Sequence, residues 1–553
     1  MKLGDIRHFF IIPILIGIIG GASAYLFRYV IDLFIQLYKY INVENWNYFH
    51  IITMPLIFLF SHWLITKLLK NRTNVTIEEI AKKISLMTGT FSLLKGFLVL
   101  LLTSMSIGFG VPIGREGPIA KLGGLLSEIF IKIFRVQHIN IPIYLSAGVS
   151  AALAATFNAP IAGIFFGIEI IIGKINSYIV IPLIVACVTA TLFAHQYIGY
   201  FTAFYVPHLE YNEEYFWFIP IGALFFTLIA VMMRYSFQKL REAKIRYRRK
   251  WRYVVILMGL IVGVIISIIP EARGVGYEYV TELYQHHFSS AYTLEVLVAK
   301  LIAVILSIGS GIFGGVMSPS IFLGAFGGYW FGSEFASFGF DPRVFALIGS
   351  AAVLAGVSKA PLRSAIIITE LTHSYQLLLP ILLSSAISVY FLSKMEPGSY
   401  FKRSLMQKGI DIDNKSIINF LERCNIEEFV KPIKALHEED TLEEVLTFFK
   451  RSKIRNLPVV DKSNKLIGIV SLRHIRRHPI RHRDKQILVR EIMKERPFYI
   501  TSDHQKEDIF KAFTILSTTY VPYVDQKKRY KGMLDLGKLL KELSLCKLDY
   551  KIR

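Results

Sequence analysis

Apolar runs of roughly 17–25 residues, the length that crosses a bilayer as a helix, recur from residue 8 to about residue 395. The clearest are "FIIPILIGIIGGASAYLF", "SYIVIPLIVACVTATLFAH", "FWFIPIGALFFTLIAVMM" and "YVVILMGLIVGVIISII", and each predicts a spanning helix. Past "YFLSKMEPGSYF" the texture changes, and about 150 residues of charged, short-period sequence read as a water-soluble unit. The pattern predicts an all-α polytopic membrane domain over 1–395, a last helix and linker over 396–425, and a small α/β tail over 426–548.

Two internal repeats lie inside this pattern. The first is intramembrane, at a constant offset of 201, with halves at about 92–195 and 297–395. "GREGP" (114–118) lies over "GVMSP" (315–319), Leu122 and Gly123 over Leu323 and Gly324, and "GVSAALAATFNAP" (148–160) over "GSAAVLAGVSKAP" (349–361). Glu169 falls on Glu370 without a gap. Duplicated halves are a signature of secondary-transport folds, whose sites lie where broken helices end at the repeat interface. Whether the halves are inverted does not follow from the sequence. The second repeat is in the tail at offset 64, where "NLPVVDKSNKLIGIVSL" (456–472) lies over "YVPYVDQKKRYKGMLDL" (520–536). Each copy reads as strand, polar turn, strand, with a helical pattern before it, and the copies fill about 426–484 and 485–548.

Composition sharpens this. At 53% hydrophobic and a mean hydropathy of +0.46, the chain is too apolar for an ordinary soluble protein of 553 residues. The first apolar run has only Lys2 and Arg7 before it and no small-residue cleavage site after it, so it reads as a helix rather than a signal peptide. The net charge of +22 is clustered. "QKLREAKIRYRRKWR" (238–252) carries eight Lys/Arg against one Glu between two apolar runs, which marks a cytoplasmic loop rather than a nucleic-acid surface. A cytoplasmic tail and a multi-pass protein of the cell (inner) membrane follow as expectations. Cys187, Cys424 and Cys546 have no ligand spacing, so neither a disulfide framework nor a zinc site is expected.

The chemistry concentrates in the Gly-x-x-x-Pro segments. Glycine permits close backbone approach, and proline suits the first turn of a helix. Each segment therefore predicts a helix that starts inside the membrane, with free N–H groups and a positive dipole end that favour an anion. Two such starts, one per half, can converge on a dehydrated anion without a full positive charge. Glu116 then reads as an internal competitor for that site, occupying it when deprotonated and leaving when protonated. Glu169 and Glu370, at equivalent places, read as structural carboxylates that pair with backbone amides or with the opposite half.

At this point the sequence resembles the CLC family of chloride channels and chloride/proton exchangers. The resemblance rests on "GREGP", "FNAPIAGIFFGIE", "PEARGVGYEYV" (270–280), "GGVMSP", a tyrosine after the last span and a paired CBS tail. It implies a CLC-type inverted-repeat fold, a homodimer with one pore per subunit, and chloride and protons as the transported species. It implies that Glu116 is the gating and proton-coupling glutamate, and that the amides of Arg115 and Gly117 bind the external anion. Val316, Met317 and Tyr400 would contact the central one. Met317 stands where the family usually has phenylalanine.

Three departures bear on function. The family's G-S-G-I-P segment should precede "GREGP" by about 40 residues, but the chain there reads "NRTNVTIEEIAKK" (71–83). Thr73, Asn74 or Thr76 would have to supply the missing hydroxyl or amide, and a fluoride-type branch stays open. Where many exchangers carry an internal proton-relay glutamate, the chain has Ile170, as many channels do. Lys121, one helical turn from Glu116, either lowers the Glu116 pKa or snorkels to the interface.

CBS pairs commonly hold adenine nucleotides through a ribose-binding aspartate, but His474 and Lys538 stand at those positions. Ser471 fits one half of the pattern and Asp535 replaces it in the other, which argues against a nucleotide cofactor. Chloride/proton exchange regulated by the CBS pair is the expectation, with a passive chloride channel as the alternative. A CBS-linked cation channel would want more intramembrane carboxylates. A membrane enzyme would want a clustered catalytic set. Neither accounts for the offset-201 repeat, and no enzyme activity, metal or nucleic-acid partner is expected.

Overall fold

The structure is a computed structural model. It describes residues 6–42, 48–67, 93–134, 136, 141–172, 175–200, 204–207, 209, 211, 213–248, 250–395, 426–451, 456–471, 475, 487–495, 497, 499–501, 520–535 and 538. Two compact units divide at about residue 408.

The first unit is helical. Its long helices are α1 (Ile12–Ile41), α2 (Phe49–Lys67), α7 (Ser177–Ile198), α8 (Ile219–Arg246), α9 (Trp251–Ile268), α11 (Ser290–Ser310) and α15 (Leu378–Met395). Among the described residues, seven helical stretches along these elements are long and apolar enough to cross a membrane. The basic segment 238–252 does not form a loop throughout. Most of it is the end of α8 and the start of α9, because Lys, Arg, Glu and Gln all extend a helix readily.

Between the long helices lie the elements of the two halves. In the first half these are α3 (Leu93–Gly108), α4 (Glu116–Ile133), α5 (Ile141–Phe157) and α6 (Pro160–Phe166), which winds on as a π-helix to Ile172. Their counterparts in the second half are α11, α12 (Met317–Glu334), α13 (Pro342–Ser358) and α14 (Pro361–Thr372). The short α10 (Tyr277–Gln285) precedes α11.

The two halves break their helices by the same local chemistry. Helix α5 ends at Asn158, with φ 55°, and α13 ends 201 residues later at Lys359, with φ 53°. Ala159 and Ala360 are then extended, at φ −135° and −133°, as expected of a residue before proline. Pro160 and Pro361 open the next helices, where a missing N–H costs nothing. Asparagine tolerates the left-handed region and lysine does not favour it, so the second half keeps the geometry against local preference. Within each half the crossing is equally close. A Cβ on Gly123 would lie 2.4 Å from the Gly148 carbonyl oxygen, and one on Gly324 would lie 2.3 Å from that of Gly349. Apolar surface gives little net driving force inside a bilayer, and such small-residue contacts let backbones pack instead.

The halves meet on a local two-fold axis. Gly114 N–H donates to the Gly315 carbonyl at 2.9 Å and Gly315 N–H to the Gly114 carbonyl at 2.6 Å. These glycines are repeat equivalents, and only a two-fold relation lets equivalent residues exchange bonds reciprocally. The sequence left the relation between the halves open, and this pair makes it two-fold rather than a simple translation.

The tail unit holds two sheets. One runs β2 (Leu436–His437), β3 (Asn456–Val460), β4 (Leu466–Ser471), β5 (Lys494–Glu495); the other runs β1 (Val430–Lys431), β7 (Tyr530–Asp535), β6 (Tyr520–Val524). The repeated stretches are the hairpins β3–β4 and β6–β7, each with a register shift at the same place, Val459/Val460 and Tyr523/Val524. Helix α16 (Leu442–Arg451) precedes the first hairpin, and the short α17 (Val489–Ile492) follows it. The hairpin turns clasp each other. Leu466 N–H donates to Lys528 O at 3.1 Å and Tyr530 N–H to Asn464 O at 2.9 Å, so residues 64 apart play equivalent roles as donors and as acceptors.

Candidate functional site

The site lies on the axis between the halves. Helix α4 starts at Glu116 and α12 at Met317, so each Gly-x-x-x-Pro segment does begin a helix among buried residues. The buried Glu116 side chain crosses from its own half to the other. Its Oε1 accepts from the Ser318 N–H at 2.9 Å and from the Ser318 hydroxyl in a short contact. Tyr277 extends this chain, donating its hydroxyl to Ser318 Oγ at 3.0 Å. Charge-assisted bonds of this kind are about twice as strong as neutral ones. Oε2 has no hydrogen-bond partner and lies against Gly114 and Gly315. A Cβ there would come within 2.2 and 1.8 Å of it. The carboxylate thus fills a slot that glycine alone leaves open.

Four of the other expected residues adjoin it along the two helix starts: Arg115, Gly117, Val316 and Met317. Val316 and Met317 are buried at the start of α12. Gly117 is buried, yet a Cβ on it would meet nothing within 4 Å, so open space borders the first turn of α4. Arg115 donates to the Thr156 carbonyl at 3.4 Å and lies over the Phe157 and Tyr277 rings. Lys121 is 6% exposed, buried in the helical body rather than extended along its surface. Tyr400, Thr73, Asn74 and Thr76 lie outside the described residues.

Glu169 and Glu370 form a reciprocal pair of caps. Glu370 accepts from the Ile161 and Ala162 amides at 2.9 and 2.6 Å, and Glu169 accepts from the Arg363 amide at 3.1 Å. Each carboxylate therefore caps the broken-helix start of the opposite half, where orphan N–H groups and the dipole favour an anion.

Sequence reasoning missed Arg363. Its side chain is fully buried beside Met317, where no full positive charge was expected. The signal was present: an arginine in "KAPLRSAIII" is as costly in an apolar run as the one in "GREGP". Ser318 and Tyr277 were missed for another reason, since neither type stands out until the fold aligns them with Glu116.

In the tail, Asp535 forms an ion pair with Lys431 at 2.5 Å and accepts from the Lys538 amide at 3.3 Å. Its charge is already matched within the protein. His474 lies outside the described residues.

Two halves on a local two-fold axis, broken helices starting at that axis and a buried carboxylate between them define a polytopic membrane protein of duplicated-half architecture. Residues 57–393 match the family described as "Voltage gated chloride channel", and residues 426–481 and 489–545 each match the CBS domain. The chain belongs to the voltage gated chloride channel family. A ClcB-like protein of Ralstonia nicotianae is 30% identical over 318 residues, covering 55% of this chain and 73% of that one. The H(+)/Cl(-) exchange transporter ClcA of Vibrio cholerae is 28% identical, and the match covers 52% of this chain and 64% of ClcA. The crystal structure of a eukaryotic CLC transporter shares the fold with a TM-score of 0.73 at 17% identity, covering 97% of this chain and 98% of that one. The membrane unit is thus of the CLC type, and the tail is a CBS pair.

Proposed function

We propose that the protein exchanges chloride for protons across a membrane, with Glu116 as the shared gate. One observation carries the reading: the Glu116 carboxylate rests on the Ser318 amide at the start of α12, a place suited to a free anion. Protonation weakens its charge-assisted bonds and releases the site, so anion entry and proton binding alternate. The amides of Arg115, Gly117, Val316 and Met317, with Tyr400, line the anion path in this reading. A homodimer and a cytoplasmic CBS pair that regulates flux belong to it, and a nucleotide does not. The named activity of ClcA supports exchange. Ile170, buried where a relay glutamate is often found in the family, favours the second reading, a passive chloride channel.

Simultaneous chloride and proton flux in proteoliposomes tests both. Exchange is expected to let a chloride gradient drive protons uphill in the wild type. Glu116→Gln is expected to abolish that while chloride still moves. Chloride flux without protons in the wild type establishes the channel instead.

A further inference from the structure

Arg363, the third residue of α14, has the largest fully buried side chain among the described residues. Its Nη1 reaches only the Met317 sulfur, at 3.5 Å, a weak acceptor. Nε and Nη2 have no hydrogen-bond partner at all. One face of the guanidinium lies 5.4 Å from the Phe166 ring centroid. Glu169 accepts from the Arg363 backbone amide; the Glu169 and Glu116 carboxylates act on the guanidinium electrostatically from a distance, and among the described residues neither bonds to it directly.

A guanidinium stays charged in proteins, and a buried charge persists only when paired and hydrogen-bonded. The side chain lines a small cavity of about 10 Å³ together with Phe157, Gly163, Phe166, Met317 and Ile367. That is room for one water-sized particle, and the unbranched Met317 side chain on its wall can shift for a somewhat larger one. Its walls are apolar apart from Arg363, and the cavity sits at the first residue of α12, whose dipole adds to the same positive field. No cation is stable there, and a neutral solute gains little from a fork of charged donors.

We propose that the Arg363 guanidinium is a direct ligand of the transported anion, holding one small monovalent anion, such as chloride, beside Met317. The inference rests on the anion-transport reading above and adds to it a full positive charge. Helix dipoles and amides alone bind an anion through partial charges. Arg363 makes the inner position the tighter one, so an anion leaving it has a charge to escape as well as amides.

A structural role is the rival, and it predicts the opposite. A buried cation kept only for packing is replaced by a neutral residue of similar size with little or no loss. The experiment measures chloride binding calorimetrically on the purified full chain, and chloride flux in proteoliposomes, for wild type, Arg363→Gln and Arg363→Lys. Loss of charge-assisted bonds is expected to weaken chloride binding at least about tenfold in Arg363→Gln. Arg363→Lys keeps the charge but loses the fork, and is expected to fall between the two. A wild-type affinity in Arg363→Gln overturns the assignment while wild-type flux leaves the transport reading standing. Should Arg363→Gln fail to fold, Arg363→Lys decides, because an affinity unchanged by loss of the fork also overturns it. A wild type that neither binds nor moves chloride overturns the transport reading itself, and this inference with it.

Discussion

Replacing Gly315 by alanine is expected to displace the Glu116 carboxylate while leaving the backbone around it in place. The new Cβ would lie 1.8 Å from Glu116 Oε2, 3.0 Å from Cδ and 3.2 Å from the Glu116 backbone nitrogen, which has to give by only a few tenths of an ångström. Unbonded heavy atoms first gain from contact at about 3.5 Å, so the side chain has to swing away. The carboxylate is the free end of a flexible side chain and can move. The Gly114–Gly315 bonds are between backbone groups, and Gly315 does not need a left-handed φ, so the bridge can persist. Leaving the slot sacrifices two bonds from Ser318 to a charged acceptor. At about 1.5–3 kcal/mol each, the position loses about 3 kcal/mol or more, a shift in occupancy beyond about 100-fold. The assay is coupled chloride and proton flux for Gly315→Ala, Glu116→Gln and the double variant. Gly315→Ala is expected to reproduce Glu116→Gln, and combining them is expected to add nothing, since both remove the same occupant. Wild-type coupling in Gly315→Ala, or additive effects in the double variant, would refute the reasoning.

Two further perturbations test the supports around the site. Glu370→Ala strips two amides of a charged acceptor, so a loss of about 3–6 kcal/mol is expected in unfolding experiments; a change below about 1 kcal/mol means that the cap adds little. In the tail, amide and hydroxyl bonds from Lys465 and Ser463 hold the Asp461 carboxyl below its ordinary value of 3.8. A depressed folded pKa stabilises the turn above the ordinary value and loses that contribution as pH falls through the folded one. Asp461→Asn is expected to lower thermal stability at neutral pH and flatten the decline below about pH 4, and an unchanged acid limb contradicts this.

Much of the architecture is legible because membranes and repeats both leave period and length in the chain. Bilayer thickness sets the long apolar runs, and α1, α7, α8 and α9 lie where those runs do. The break at "FNAP" follows from proline chemistry, and the offset of 201 pairs it with "SKAP". Glu116 stands out for the same physical reason, as a carboxylate amid apolar residues.

What only the tertiary structure decided are relations between residues about 200 positions apart. Local pattern cannot tell a translated repeat from a two-fold one; the Gly114–Gly315 exchange does, since it exists only when the halves face each other. Nor can it say that Glu370 caps α6 rather than its own helix, or that Ser318 receives Glu116. The reach of a side chain across an axis depends on packing, which no run of neighbours records. Arg363 shows the limit from both sides. Its charge was visible in "KAPLRSAIII", but that two of its guanidinium nitrogens are left without a hydrogen bond is a property of the closed interior. Sequence carries the cost of burying a charge, and only the fold determines what is left to meet it.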